Sequence, residues 1–288
     1  MQERPKKIGL VVKEHPTPLE KARELTTWFE ERGLEVVVRR TSPPRPDVLE
    51  SSEGNAPGDL DCIMVLGGDG TFLYAARWIH DQPIPMLGVK FGTVGFLAET
   101  TQDSLYEVAQ ALVDGNFTIE KRRRLAVSVR DNGREVTRQL VLNDAVINIV
   151  ALARLADMRT HVDDHYLTTF RADGLIVATP TGSTAYSLAA GGPVIHPSVE
   201  ALIITPICPY TLTNRPLIVP DTAHITIELE RKSSDAMLTF DGQAGLTITD
   251  RHTVHLTRAH KPVHLIKAPG QNYFDVLKTK LAWSGGKG

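Results

Sequence analysis

Hydrophobic positions in residues 1–122 follow two alternating patterns. Short runs rich in β-branched residues predict strands, and they are KKIGLVV, LEVVVRR and PMLGVK. Between them, apolar residues recur three or four positions apart, which predicts helices with one buried face: Leu19, Ala22, Leu25 and Phe29, then Leu105, Val108, Ala109 and Leu112. Strands that alternate with helices predict an α/β domain with a parallel sheet covered by helices.

From residue 123 the pattern changes to strands alone. Asn132-Gly133 lies between alternating apolar residues and predicts a hairpin, and further strands follow at intervals of about ten residues, as in a β-sandwich. We therefore predict an all-β domain over 123–270. In the last segment, 271–288, helical spacing returns at Phe274, Leu277 and Leu281, which predicts a C-terminal helix that packs back onto one of the domains.

Composition narrows the class of protein. The 288 residues are 42% apolar and 23% charged, as in ordinary globular proteins. A formal net charge of −2 argues against a nucleic-acid partner. No apolar run approaches the roughly 18 residues of a membrane span, and the apolar run near the N-terminus is too short for a signal peptide. We expect a cytoplasmic protein without a membrane partner.

The segment DCIMVLGGDGTFL, residues 61–73, places one acid among glycines where a buried strand turns into a helix, predicted over 71–80. Ligands bind at the carboxyl ends of strands in open α/β sheets, and helix N-termini attract phosphates. Asp69 is therefore either a helix cap or a residue that serves chemistry on a phosphate. The segment is not a Walker loop, and Gly88, Gly92 and Gly95 lack the spacing of the dinucleotide fingerprint.

GGDGT at 67–71 resembles a superfamily of kinases that act on hydroxyl groups, including NAD kinases and lipid kinases. The second half of the chain selects among them. ATPTGSTAYSLAAGGPVIHP at 178–197 is similar to the NAD-kinase signature, and so are RADGLIV, Asn143-Asp144, PYTLTNRPLIVP, DGQ at 241–243 and the ending YFDVLKTKLAW. The chain is identified by these ordered matches as a member of the NAD kinase family.

The resemblance implies transfer of the γ-phosphate of ATP to the 2′-hydroxyl of the adenosine ribose of NAD, giving NADP. It implies Mg²⁺ or another divalent cation, and a homodimer or homotetramer. Asp69 would accept the proton of the hydroxyl. The remaining residues that the resemblance assigns to nucleotide binding are Gly68, Gly70, Asn143, Asp144, Arg154, Arg171, Asp173, Thr184, Ala185, Tyr186, Ser187, Leu188, Ala189 and Gln243. Arg154 would reach across a subunit boundary.

Three positions depart from the family pattern. Asp144 replaces the usual Glu and is one methylene shorter. Ala189 stands where Ser is common, so one hydroxyl contact is lost. Lys90 occupies the Asn position of GxNxGxxGF and adds a positive charge near the phosphate loop. None of these changes removes the proposed proton acceptor.

Other readings of the chain stay open. KRRR at 121–124 is either a phosphate patch or, as we favour, a solvated strand edge. HVDDH at 161–165 carries metal-ligating residue types, but a hairpin turn would send neighbouring side chains to opposite faces. A lipid or sphingoid-base kinase with the same GGDGT loop and a non-catalytic NAD sensor are the functional alternatives.

Overall fold

The computed structural model describes residues 4–45, 47–49, 54–92, 95–98, 100–149, 155–230, 235–267 and 272–283. The chain divides into two compact units. The first comprises residues 1–43, 54–121 and 263–288, and the second comprises residues 44–53 and 122–262. With strands numbered along the chain, the first unit is built on one sheet and the second on two.

The sheet of the first unit is mostly parallel. Its strand order is β2-β1-β3-β4-β19-β6, with the short β5 paired to β4. Its strands are β1 Lys7–Val12, β2 Glu35–Arg40, β3 Cys62–Leu66, β4 Met86–Lys90, β5 Thr100–Thr101, β6 Thr118–Arg122 and β19 Val263–Lys267. Because β1, β3, β4 and β19 run parallel, their carboxyl ends meet at one edge of the sheet.

Within the described ranges, four α-helices belong to the first unit: α1 Pro16–Glu30, α2 Asp69–Trp78, α3 Leu105–Val113 and α5 Tyr273–Leu281. The predicted faces of α1 and α3 are buried in one hydrophobic core with β1, β3 and β4, although Leu19 is only half-buried. α2 packs against β1 and β3. The predicted α/β domain with its parallel sheet is confirmed.

Helix α2 begins earlier than the sequence pattern indicated. Its first residue is Asp69, two positions before the predicted start at residue 71, and Gly68 is its N-cap. The prediction counted Asp69 and Gly70 as part of the turn, because glycine disfavours helix interiors. At the first turn that penalty matters less, since the N–H groups there have no intrahelical partner in any case.

The second unit consists of two antiparallel sheets with a shared core between them, as predicted for a β-sandwich. One sheet has the order β11-β10-β15-β18-β7-β8 and the other β14-β13-β12-β9-β16-β17. The strands are β7 Leu125–Asp131, β8 Arg134–Val141, β9 Asp144–Ile149, β10 Ala156–Val162, β11 His165–Ala172, β12 Gly174–Ala178, β13 Ala201–Ile207, β14 Leu217–Pro220, β15 Ile225–Leu229, β16 Ala236–Phe240, β17 Ala244–Ile248 and β18 His252–Arg258.

Strand β12 is buried on both faces. Leu175 and Val177 face the core between the sheets, whereas Ile176 and Ala178 pack with Ile195 in a smaller cluster on the other face. Residues 180–197, with the short helix α4 Tyr186–Ala189, therefore cover the outer face of this sheet. That cover explains why a strand of an antiparallel sheet reads as a continuous apolar run.

The predicted hairpin at Asn132-Gly133 joins β7 to β8, and both turn residues have positive φ, 47° and 84°. The polar HVDDH segment forms the turn between β10 and β11, again with positive φ at Asp163 and Asp164. Asn and Asp tolerate this conformation better than other side chains, apart from glycine. Among the described residues, no group of three or more His, Cys, Asp or Glu is arranged to hold a metal ion.

The chain returns to the first unit before the predicted boundary at residue 270. Strand β19 inserts beside β4, with Leu265 opposite Met86, so the second unit ends at residue 262. Five mostly apolar residues do not reveal which sheet a strand joins, because strands of both units need an apolar face. The second unit also includes residues 44–53, which the sequence pattern left with the first domain.

The KRRR segment differs from the solvated edge that we favoured. Arg122 and Arg124 are only 1% and 3% exposed. The guanidinium of Arg124 donates to the carbonyl of Lys261 from Nε at 3.1 Å and from Nη2 at 2.9 Å. Arg122 ends β6, and Arg124 lies just before β7. The fork of a buried arginine can satisfy a backbone carbonyl, as Arg124 does with that of Lys261.

The C-terminal helix is present and belongs to the first unit, as α5. Asn272 caps its N-terminus by accepting a hydrogen bond from the N–H of Phe274 at 2.9 Å. Of the predicted apolar face, Leu277 is buried but Phe274 is 54% exposed, so the helix attaches by a narrow stripe. Across the described residues, no helix is long and apolar enough to span a membrane.

Candidate active site

The carboxylate of Asp69 is held in place by the backbone of the loop that follows β4. Its Oδ2 accepts a hydrogen bond from the N–H of Phe96 at 2.9 Å, and its Oδ1 accepts from the N–H groups of Leu97 at 3.0 Å and Ala98 at 3.2 Å. A carboxylate offers about four acceptor positions. The described residues therefore fill three of them and leave one, on Oδ2.

This arrangement differs from a simple helix cap. Asp69 makes no capping hydrogen bond in α2 and instead joins the ends of two neighbouring parallel strands, β3 and β4. The side chain is half-buried at the carboxyl edge of the sheet, where open α/β sheets bind their ligands. Gly68 is half-buried beside it and Gly70 is exposed. Asp69 is thus fixed in orientation and retains one acceptor position for a ligand.

A buried lysine lies at the same edge. Lys90, the last residue of β4, is only 6% exposed. Burial and the charge of Lys280 lower its pKa, whereas Asp69 opposes the shift. Lys280 comes from α5 and lies with Nζ 5.8 Å from the ring centroid of Phe96. The edge of the sheet thus combines one carboxylate with two amines.

In the second unit, Asp241 organises a turn of the backbone around residues 142–144. Its Oδ2 accepts from the N–H of Leu142 at 2.8 Å, and its Oδ1 accepts from the N–H groups of Asn143 at 2.7 Å and Asp144 at 3.1 Å. The N–H of Asp241 donates to the carbonyl of Asp144 at 2.9 Å. The DGQ turn and the Asn-Asp pair, distant in sequence, are therefore one local structure.

The side chain of Asp144 is buried beside that turn. It is 5% exposed, and burial, followed by the charge of Asp241, raises its pKa to about 7. No described residue donates a hydrogen bond to its carboxyl group, so the group is available to a ligand. Near neutral pH both its protonated and its ionised form are populated.

The TPTGS turn joins the same structure. The N–H of Thr179 donates to the carbonyl of Asn143 at 2.8 Å, and the hydroxyl of Thr179 donates to the carbonyl of Leu142 at 2.6 Å. A Cβ on Gly182 would lie 2.1 Å from the carbonyl oxygen of Asn143, so only glycine fits there. The structure thus brings together three predicted segments: the Asn-Asp pair, the TPTGS turn and the DGQ turn.

Sequence comparison identifies the family. The ATP-NAD kinase N-terminal domain matches residues 8–117, and the ATP-NAD kinase C-terminal domain matches residues 142–268. The NAD kinase of Desulfatibacillum aliphaticivorans is 59% identical, over 98% of this chain and 99% of that protein. The NAD kinase of Geobacter sulfurreducens is 46% identical, over 96% of this chain and 99% of that protein.

The chain belongs to the NAD kinase family. It is therefore an enzyme, a phosphotransferase that uses ATP to phosphorylate NAD, and neither a lipid kinase nor a sensor is favoured.

Solved structures share the NAD kinase fold. The crystal structure of yeast NADH kinase complexed with NADH superposes with a TM-score of 0.84 at 24% identity, over 99% of this chain and 90% of that one. The NAD kinase from Archaeoglobus fulgidus in complex with ATP gives a TM-score of 0.73 at 24% identity, over 94% and 99% of the two chains.

The remaining NAD kinase positions differ in how far they are exposed. Arg171, Asp173, Tyr186 and Ala189 are exposed, and the guanidinium of Arg171 lies 5.3 Å from the ring centroid of Tyr210. Ser187, by contrast, is fully buried, with its hydroxyl 2.9 Å from that of Thr205.

Thr184 donates to the carbonyl of Thr181 at 3.2 Å. Ala185 and Leu188 are half-buried, and Gln243 is buried. Arg154 lies outside the described residues, so its role stays a prediction.

Sequence reasoning did not assign roles to Asp241, Thr179 and Lys280. Asp-Gly in DGQ is also an ordinary turn pair, so its acid carries no separate sequence signal. Asp241 does have positive φ, 51°. Lys280 could not be assigned because its place depends on the insertion of β19 beside β4.

Proposed function

We propose that Asp69 accepts the proton of the 2′-hydroxyl of the adenosine ribose of NAD while the oxygen of that hydroxyl attacks the γ-phosphorus of ATP. One P–O bond forms to the ribose and the bond to the β-phosphate oxygen breaks, so the products are NADP and ADP. The observation that carries this proposal is the orientation of Asp69, whose carboxylate is fixed by three N–H groups and keeps one acceptor position on Oδ2.

The chemistry limits what a carboxylate contributes. A ribose hydroxyl is far too weak an acid to be ionised beforehand by a carboxylate. Phosphoryl transfer passes through a loose transition state, so the proton leaves late, as the new P–O bond forms. Asp69 therefore aims the hydroxyl and then receives its proton, a contribution of about 10²–10⁴ in rate. Positioning and electrostatic stabilisation of the phosphates supply the rest.

In the second unit, Asn143 and Asp144 would bind the dinucleotide. The carboxyl group of Asp144 has no hydrogen-bond donor among the described residues, and a ribose hydroxyl would supply one. The further NAD-binding residues in this proposal are Arg154, Arg171, Asp173, Thr184, Ala185, Tyr186, Leu188, Ala189 and Gln243. Ser187 would act indirectly, since its buried bond to Thr205 fixes the segment that carries Tyr186.

A divalent cation would enter with the nucleotide. The described residues offer no group of three or more His, Cys, Asp or Glu for it. Mg²⁺ usually keeps several waters and binds substrate phosphates with one or two carboxylates, so most of its ligands would be phosphate and water oxygens. When bound, it would neutralise charge on the phosphates.

The decisive experiment is an assay for NADP. The purified protein is incubated with NAD and a panel of donors with Mg²⁺, namely ATP, tripolyphosphate and no donor, and NADP is measured with an NADP-specific dehydrogenase. We expect NADP with ATP and none without a donor. Phosphorylation of a sphingoid base or diacylglycerol in place of NAD would contradict the proposal, and so would NAD binding without turnover. The oligomeric state, predicted as a dimer or tetramer, is measured by light scattering.

A further inference from the structure

Lys90 is a mostly buried residue whose amine has no counterion in contact among the described residues. The residue is 6% exposed, and within the described part of the chain its Nζ has neither a hydrogen-bond acceptor nor an ion-pair partner. Its Nζ is not among the fully buried polar atoms of the described residues, so the amine reaches solvent. An accessible, unpaired amine at the ligand-binding edge of a sheet is suited to bind an anion.

The neighbouring carboxylate does not fill that role. Asp69 is close enough to act on Lys90 electrostatically, but three of its acceptor positions are taken by the N–H groups of Phe96, Leu97 and Ala98. Those bonds orient the carboxylate toward the loop, and no ion pair to Lys90 forms. Asp69 is thus positioned by the backbone, and Lys90 keeps its donor capacity.

A second amine reinforces the positive charge. Lys280 is exposed on α5, acts electrostatically on Lys90 and lies over the ring of Phe96. Phe96 in turn donates to Asp69 through its N–H. The buried Leu277 and the Asn272 cap anchor the helix that carries Lys280. Two amines and one carboxylate leave a net charge of +1 around one loop, which suits a polyanion.

We propose that Lys90, together with Lys280, binds the terminal phosphates of the phosphoryl donor. The inference rests on the proposed function, since it places the donor beside Asp69. Lysine binds phosphate as a point charge with three rotatable donors, so the pair recognises the polyphosphate chain rather than the nucleoside.

Two measurements separate this inference from the proposed function. Steady-state kinetics give the KM for ATP and the KM for NAD. Calorimetric titration with tripolyphosphate in the absence of NAD gives a Kd that requires no turnover. The variants are K90Q, K90R and K280Q. The control K278Q removes an exposed lysine of the same helix, whose Nζ lies 3.5 Å from a carboxylate oxygen of Asp275.

For K90Q we expect the Kd for tripolyphosphate and the KM for ATP to rise about 10- to 100-fold, as for loss of a hydrogen bond to a charged group. The KM for NAD should stay within twofold. K90R should recover part of the affinity because it keeps the charge. K280Q, a change at an exposed position, should raise both constants by a smaller factor without affecting the fold, and K278Q should match the wild type.

The inference is overturned if folded K90Q binds tripolyphosphate as the wild type does, or if its kcat falls while the KM for ATP is unchanged. If K90Q does not fold, unchanged tripolyphosphate binding by K280Q overturns it instead. If the wild type makes no NADP but binds tripolyphosphate, and K90Q loses that binding, the anion site is supported and only the proposed function is refuted.

Discussion

Gly95 lies so close to Asp69 that a Cβ at position 95 would be 2.0 Å from Oδ1 of the carboxylate. The contact is possible only for glycine, and it brings the following N–H groups, of residues 96–98, within reach of the same carboxylate. The loop after β4 and the acid after β3 thus define each other's position. Four predictions test how this relationship and its counterpart in the second unit support the activity.

Adding one methyl group at residue 95 should displace the catalytic acid. In G95A the new Cβ forces the loop and the Asp69 carboxylate apart, and a displacement of about 1 Å at a reacting group costs about 10²-fold in rate. We expect kcat for NADP formation to fall by about that factor, with the free energy of unfolding lowered by about 1–3 kcal/mol.

The control for this substitution is G58A. A Cβ there would meet Oε1 of Gln82 at 3.6 Å, an ordinary contact. Its kcat and its stability should match the wild type. Equal kcat values in G95A and G58A would refute the coupling between the loop and Asp69.

Burial of Asp144 should make stability fall as pH rises. Its pKa is raised from 3.8 to about 7 by burial and by Asp241, so between these values the folded state binds a proton that the unfolded state has lost. The cost in free energy of unfolding is absent below pH 3.8 and complete above about pH 7. Relative to D144N, the wild type should lose about 2–3 kcal/mol in free energy of unfolding between pH 5 and pH 8.

Urea denaturation of both proteins across this range measures the effect. If the free energy of unfolding depends on pH in the same way in wild type and D144N, the burial of the Asp144 carboxyl group does not raise its pKa.

Removing the charge of Asp241 should weaken the backbone turn at residues 142–144 and lower the pKa of Asp144. D241N weakens the bonds to the N–H groups of residues 142–144, which we expect to cost about 1–3 kcal/mol in free energy of unfolding. It also removes a negative charge that raises the pKa of Asp144, so that pKa should fall. The pH at which stability changes should therefore move to lower values, and the KM for NAD should rise while that for ATP does not. An unchanged KM for NAD in D241N would show that Asp241 does not support NAD binding.

Much of the fold could be predicted from local patterns. The faces of α1 and α3 follow from helical spacing, and Asn132-Gly133 marks its hairpin because few residues accept positive φ. Strand β19 could not be placed, since Leu265 and its partner Met86 in β4 are 179 residues apart in sequence and only tertiary packing selects this pairing. The burial of Arg122 and Arg124 was missed because a run of basic residues indicates solvent unless a partner is known.

Among the site residues, too, local signals were predictable and contacts that depend on tertiary packing were not. Asp69 stood out because an acid among glycines at a strand end has few structural reasons to be there. Its bonds to residues 96–98 were not predictable, since they join two loops through backbone N–H groups that carry no sequence signal. The electrostatic effect of Lys280 on Lys90 was likewise not predictable, since it depends on β19, the strand that precedes the C-terminal helix, pairing with β4.

The most direct test of Asp69 as proton acceptor is the rate of NADP formation by D69N beside that of D61N. Asp61 lies at the opposite end of the same strand, β3, where its Oδ2 accepts from the N–H groups of Lys6 at 2.7 Å and Lys7 at 2.8 Å. Both substitutions therefore remove a carboxylate that binds backbone in the first unit. We predict that kcat falls about 10²–10⁴-fold in D69N and stays within twofold of wild type in D61N. A folded D69N with near wild-type kcat would contradict the role of Asp69.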